Sequence, residues 1–195
     1  LLKSGFDIRG IVSAEKRIVS WARSHDTEVL DPRQDYRSDL KSSPFDYLFS
    51  IANLDVIPQD ILDTPEKAAI NFHDGPLPNY AGLNAPVWAL LNREQTYGIT
   101  WHLMTSKMDA GDILEQRTFD LGPTETSLTL NTLCFENAIE SFEVLAERLA
   151  RGDVKSRPQD DSQRTYFGRF RRPAAGCVID WKRSAEQLEA LVRAL

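Results

Sequence analysis

The sequence predicts an α/β domain with a mainly parallel sheet flanked by helices. Three observations carry that prediction. Apolar runs of strand length alternate with segments of helical spacing. The run at residues 45–52 (FDYLFSIA) is nearly continuous, as in a strand buried on both faces. One long segment, residues 127–151, repeats apolar residues at helical steps.

The elements follow in order. Residues 1–5 (LLKSG) read as the last turn of a helix closed by glycine. Residues 6–14 (FDIRGIVSA) read as a strand, and residues 16–25 as a helix with Ile18, Trp21 and Ala22 on its apolar face. After the strand at 45–52, Pro58 suits the first turn of a short helix over residues 58–62. Residues 68–72 (AAINF) form a second short buried strand, and residues 86–92 a short helix. Residues 98–104 (GITWHLM) and 113–120 (ILEQRTFD) read as strands joined by a turn containing Asp109-Ala110-Gly111. In the long helix, Leu130, Leu133, Ala138, Phe142, Leu145 and Leu149 make the stripe, and Thr124 or Thr126 caps it. Residues 157–173 are polar, basic and rich in breakers, which reads as a surface loop. Ser184 caps a last helix, with Gln187 where a capping box wants Glu or Gln. That helix stops at Leu195 without a stop signal, so the expectation is one domain over residues 1–195, truncated at both ends.

Composition bounds the function. The chain has 195 residues, 42 % apolar and 27 % charged, the balance of a globular protein with a sizeable core. A net charge of −6 argues against nucleic acid as partner. The local exception is residues 164–172, with Arg164, Arg169, Arg171 and Arg172. Cys134 and Cys177 stand far apart without a CxxC, so neither a disulfide framework nor a metal site is expected, and a reducing cytoplasm fits. No apolar run reaches the ~18 residues of a membrane helix, and no signal peptide is visible.

Sheets of this class bind ligands beyond the carboxyl ends of their strands. There the segment Asn71-Phe72-His73-Asp74-Gly75-Pro76-Leu77-Pro78 leaves a buried strand and enters a rigid loop. Strand alternation puts Asn71 and His73 on the same side. An amide donor and an imidazole are what acyl transfer needs: one stabilises an oxyanion, the other manages protons. A lone strand-end histidine is more often structural, so a third group matters. Asp109 in its tight turn suits the orienting of His73. Asp112 is equally acidic and three residues on, and spacing does not choose between them. His102 beside Trp101 reads as structural, set behind Asp109; Trp88 and Trp101 read as core or pocket wall, and Cys134 as buried and inert.

The stretch INFHDGPLPNYAGLNAPVWALLNREQTYGITWHLMTSKMDAGDIL resembles the catalytic core of the formyltransferases that use 10-formyltetrahydrofolate. That family includes methionyl-tRNA, glycinamide ribonucleotide and sugar N-formyltransferases. Its pattern is Asn-x-His, a loop ending Leu-Pro, a Tyr-x-Gly and a later Asp-x-Gly. Here these are Asn71/His73, Leu77-Pro78, Tyr80-Ala81-Gly82 and Asp109-Ala110-Gly111, with the family spacing of 36 residues between His73 and Asp109 (109 − 73). The resemblance implies a Rossmann-like sheet lacking its first strand in this chain. It implies Asn71, His73 and Asp109 as the catalytic trio, Asp109 rather than Asp112. It implies 10-formyltetrahydrofolate as co-substrate, contacted by Leu54, Asp55, Val56, Ile57, Gly75, Pro76, Leu77, Pro78 and Met108, with no metal.

The acceptor is then an amine. FHDGPLPNYAGLNAPVW and TYFGRFRRPAAG look most like formyltransferase domains of nonribosomal peptide synthetases, which implies an aminoacyl group on a carrier protein, with the arginine cluster as docking surface. Alternatives are an amino sugar on a nucleotide, hydrolysis of the formyl donor, and a silent folate-binding domain. The family's Ser-Leu-Leu-Pro is Gly75-Pro76-Leu77-Pro78 here, and Ala81 replaces an arginine. With the acidic charge, this argues against a tRNA acceptor.

Overall fold

Capping chemistry places the long helices. In the computed structural model, which describes residues 1–42 and 44–195, Thr126 Oγ1 accepts from the Thr129 amide and Thr129 returns the contact. Ser184 and Gln187 do the same at the last helix. In chain order the elements are β1 (Gly10–Val12), α1 (Lys16–Ser24), β2 (Glu28–Leu30), α2 (Arg37–Ser42), β3 (Tyr47–Ser50), α3 (Gln59–Leu62), β4 (Ala68–His73), β5 (Ala81–Gly82), α4 (Ala85–Leu91), β6 (Thr96–Leu103), β7 (Ile113–Asp120), α5 (Ser127–Ala150), β8 (Tyr166–Phe167) and α6 (Ala185–Ala194). A 3₁₀ turn at Leu2–Ser4 ends on Gly5 at φ 83°, the glycine closure read from LLKSG.

The main sheet has the order β3-β4-β6-β7, beside two-stranded sheets β1-β2 and β5-β8. The pairs β1-β2, β3-β4 and β5-β8 are parallel, and of these the alternation of strands and helices predicts β3-β4. β6 runs antiparallel to β4 and to β7. The short loop between β6 and β7 permits nothing else, since a parallel return needs a long crossover.

Some elements differ from the sequence reading. β1 occupies only the centre of the strand read at 6–14. β3 is half-buried rather than buried on both faces, because it is an edge strand of the four-stranded sheet. β2, α2, β5 and β8 escape the reading altogether. They are short, and the strands are defined by distant partners rather than by a run of their own.

The core lies on one face of β4 and β6. Ile70, Phe72, Ile99 and Trp101 pack there against Leu130, Cys134, Ala138, Leu145 and Leu149. Fully burying a leucine contributes roughly 1.5–3 kcal/mol, so the α5 stripe clamps this face of the sheet. Trp101 stacks on Phe142 at 4.8 Å, and its Nε1–H donates to Ser141 Oγ at 3.0 Å. Burial pushes the Cys134 thiol up, which keeps it inert as expected. The opposite side of the same strands carries the polar residues.

Candidate active site

Period two sorts the side chains. With Ile70 and Phe72 committed to the core, Asn71 and His73 point to the opposite face. The antiparallel register sets Asn71 against His102 and His73 against Thr100. β6 buries Ile99 and Trp101 on the core side, so Thr100 and His102 join Asn71 and His73. Four polar side chains from two strands thus share one patch.

The loop after His73 roofs this patch. Thr100 Oγ1 donates to Gly75 O at 2.7 Å and accepts from Leu77 N at 3.1 Å. Gln116 Nε2 donates to Leu77 O at 2.7 Å. Gly75 is needed for space: a Cβ there would stand 2.8 Å from His73 Nε2. The loop then returns Tyr80, at φ 62°, so that its carbonyl accepts from His73 Nε2 at 2.8 Å. A ring nitrogen facing a carbonyl carries its proton, so Nδ1 is the nitrogen left to gain or lose one. Nδ1 stands 3.8 Å from Asp109 Oδ2 and 3.9 Å from Asp74 Oδ1.

Asp109 sits at φ 48° in the β6–β7 loop, in the left-handed region that a short polar side chain tolerates. Its Oδ2 accepts from the Gly82 amide at 2.8 Å, and its Oδ1 lies 3.6 Å from His102 Nε2. Burial pushes this carboxyl up. His102, the charge of His73 and the Gly82 amide outweigh burial and hold it at about 2. Asp112 faces elsewhere, accepting from Ser156 Oγ at 3.0 Å. Of the two carboxylates that spacing left tied, Asp109 is the one that stands against the histidines.

His102 is more than a core histidine. Its Nδ1–H donates to Leu103 O at 2.8 Å. Its Nε2, 3.2 Å from Asn71 Nδ2, then accepts from the amide and fixes which way it points. The signal was present in GITWHLM: alternation opposes Thr100 and His102 to Ile99 and Trp101. What was missing was the register against INFH. Asp74, next to His73, is raised by burial, opposed by His73 and reinforced by the charge of Asp109.

The other expected contacts are placed as follows. Residues 51–57 leave β3 at Ser50, the partner of Asn71, so that loop begins beside the patch. Leu54 and Val56 are 81 % and 75 % exposed there, and Asn53 braces Asp55 through its backbone N–H and carbonyl. Ile57 follows, half-buried. Gly75, Pro76, Leu77 and Pro78 form the roof, but the Leu77 side chain turns inward onto Ala81 and Ile113. Met108, exposed, adjoins Asp109. Among the described residues no group of three or more His, Cys, Asp or Glu is arranged to hold a metal. No described helix is long and apolar enough to cross a membrane.

The arginine cluster is not a uniformly solvated loop. Arg164 donates to Met108 O at 2.6 Å and Asp109 O at 2.9 Å. Arg171 lies 4.5 Å over the Phe167 ring and 5.2 Å over Trp88. Arg169 and Arg172 remain exposed.

The family model described as formyl transferase matches residues 13–142, a span that holds Asn71, His73, His102 and Asp109. The chain belongs to the formyl transferase family. Solved structures repeat this formyl transferase fold. One is an N-formyltransferase from Helicobacter canadensis in complex with folinic acid and dTDP-3-aminofucose (TM-score 0.83, 19 % identity, 99 % of this chain and 73 % of that one). Another is WlaRD, a sugar 3N-formyl transferase solved in the presence of dTDP and 5-N-formyl-THF (TM-score 0.79, 19 % identity, 96 % of this chain and 66 % of that one). A third is HypX from Aquifex aeolicus (TM-score 0.70, 21 % identity), where 94 % of this formyl transferase chain covers 33 % of the larger protein. At these identities the likeness is one of fold.

Proposed function

We propose that this formyl transferase moves a formyl group from 10-formyltetrahydrofolate to an acceptor amine, with Asn71, His73 and Asp109 as its catalytic residues. The observation that carries the reading is the convergence of an amide, an imidazole and a carboxylate on the face of β4 opposite the core. The Asn71 amide spends one N–H on His102 and keeps the other for the formyl oxygen. As the amine nitrogen adds to the formyl carbon, that N–H and the protonated Nδ1 of His73 donate to the oxyanion. Asp109 orients His73, stabilises the positive charge on its ring as the oxyanion forms and, directly or through water, helps take the amine proton. Collapse then breaks the bond from carbon to N10, and the proton ends on N10. Leu54 and Val56 present exposed apolar surface on the loop that leaves β3 at Ser50, the partner of Asn71, which suits the flat ring of a folate.

For the acceptor, a nucleotide-linked amino sugar has the stronger support, because WlaRD and the Helicobacter protein are a sugar 3N-formyl transferase and a complex with dTDP-3-aminofucose. The aminoacyl-carrier reading keeps one specific support: Arg169, Arg172 and the 86 % exposed Phe170 are all exposed on one loop, although Arg172 also donates to Arg169 O and Arg171 O at 3.1 Å. Its docking cluster is smaller than the sequence implies, since Arg164 and Arg171 are engaged within the chain.

The test is to incubate the protein and 10-formyltetrahydrofolate with a dTDP-amino sugar, an aminoacylated carrier protein, or buffer alone. Product is followed by mass spectrometry and formate release. Formylated sugar is expected. Formate alone would replace transfer by hydrolysis, and folate binding without turnover would leave a silent binding domain.

A further inference from the structure

Residues 159–167 lie outside the span matched by the family model, yet they touch the turn that carries Asp109 and the two backbone stretches, at Tyr80 and Gly82, that hold His73 and the Asp109 carboxylate. Gln159 Nε2 donates to Asp109 O at 3.1 Å and to Gly111 O at 2.7 Å. Arg164 reaches Met108 O and Asp109 O with two arms of its guanidinium. Three carbonyls of one tight turn are therefore held from a segment some fifty residues away in sequence. The turn needs such donors. It bends at a left-handed aspartate, and Gly111 presses so close to β6 that a Cβ would meet Leu103 O at 1.9 Å.

The same segment sets the opposite wall. Thr165 Oγ1 accepts from the amide of Tyr80, whose carbonyl holds His73 Nε2. Phe167 pairs with Gly82, whose amide holds the Asp109 carboxylate. The strap is itself pinned. Asp160 caps its 3₁₀ turn, and Lys107 pairs with Asp161 at 2.9 Å.

We propose that Arg164 and Gln159 are positioning residues for Asp109, so that the strap at 159–167 sets the distance from the carboxylate to His73. The inference rests on the catalytic reading of Asp109 above. Arginine is required because a planar fork serves two neighbouring carbonyls, which a lysine ammonium does not. Misplacing a reacting group by about 1 Å costs on the order of a hundredfold in rate.

The test compares Arg164→Lys, Arg164→Ala and Gln159→Ala with wild type. It reads kcat, KM for both substrates, and the ¹⁵N resonances of the His73 ring. Arg164→Lys and Arg164→Ala should lower kcat about ten- to a hundredfold with KM held within about threefold. Added guanidinium ion should restore Arg164→Ala in part and leave Arg164→Lys unchanged. Gln159→Ala should move kcat the same way. If Arg164→Ala does not fold, Arg164→Lys and Gln159→Ala decide. Folded variants with wild-type kcat overturn the proposal. If the wild type shows no formyl transfer, the activity reading fails by itself. The ring resonances still decide positioning: a shift in Arg164→Lys supports it, and unchanged resonances overturn it.

Discussion

Replacing Asp109 by asparagine separates charge from shape. An asparagine oxygen can still accept from the Gly82 amide, as Asp109 Oδ2 does at 2.8 Å. What disappears is a negative charge 3.8 Å from His73 Nδ1, with both side chains almost fully buried. Coulomb's law at an effective dielectric of about 20 makes that charge worth about 4 kcal/mol to a protonated imidazole at this distance. Part of it is offset, because the buried carboxylate no longer bears its own desolvation cost. The expected loss in the rate of formyl transfer is therefore on the order of a hundred- to a thousandfold. Single-turnover transfer by rapid quench, with saturating donor and acceptor, measures it. A rate within about threefold of wild type, in a variant with an intact thermal transition, would refute the argument that the carboxylate holds the charged histidine. The variant also tests stability. The folded carboxyl is held at about 2 against an unfolded value near 4. Its stabilisation, about 2 kcal/mol, is complete above pH ~4 and drains as pH falls toward 2. Urea titrations across that window should show a steeper fall in wild type than in Asp109→Asn, which keeps only the slope of the other lowered carboxyls such as Asp31.

In the proposed mechanism Asn71→Ala removes an oxyanion donor and should cost ~3–4 kcal/mol of barrier; full activity in it, or in His73→Ala, sinks the scheme. His102→Ala leaves the Asn71 amide without its acceptor, and should lower kcat about tenfold while a glutamine at 102 restores part of it; equal rates for the two would separate His102 from the chemistry. Gly82→Ala places a Cβ 2.3 Å from Phe167 O at φ 101°. It should destabilise the fold by about 2–4 kcal/mol in denaturant titration, and an unchanged midpoint would show that β5 and β8 part easily.

Local pattern carries the elements that own their signal. The α5 stripe with its cap at Thr124 or Thr126, the capping box at Ser184, and the strand at 113–120 are legible because period and cap lie within one segment. β5 and β8 are not legible, because two residues have no period and pair only when the loop at 76–80 meets the strap. The half-burial of β3 is likewise a matter of what stands beside it in the sheet.

The site divides the same way. The residues alone determine that Asn71 and His73 share a face, since alternation along one strand is a local fact. They also place an acidic turn 36 residues on (109 − 73). Family resemblance chose Asp109 over Asp112; the fold supplies the physical reason, turning one carboxylate to two histidines and the other to Ser156. Only tertiary structure brings His102 onto Asn71, and Arg164 and Gln159 onto the Asp109 turn. Those contacts join segments thirty to fifty residues apart, and their geometry depends on register and chain reversal, which no local pattern encodes.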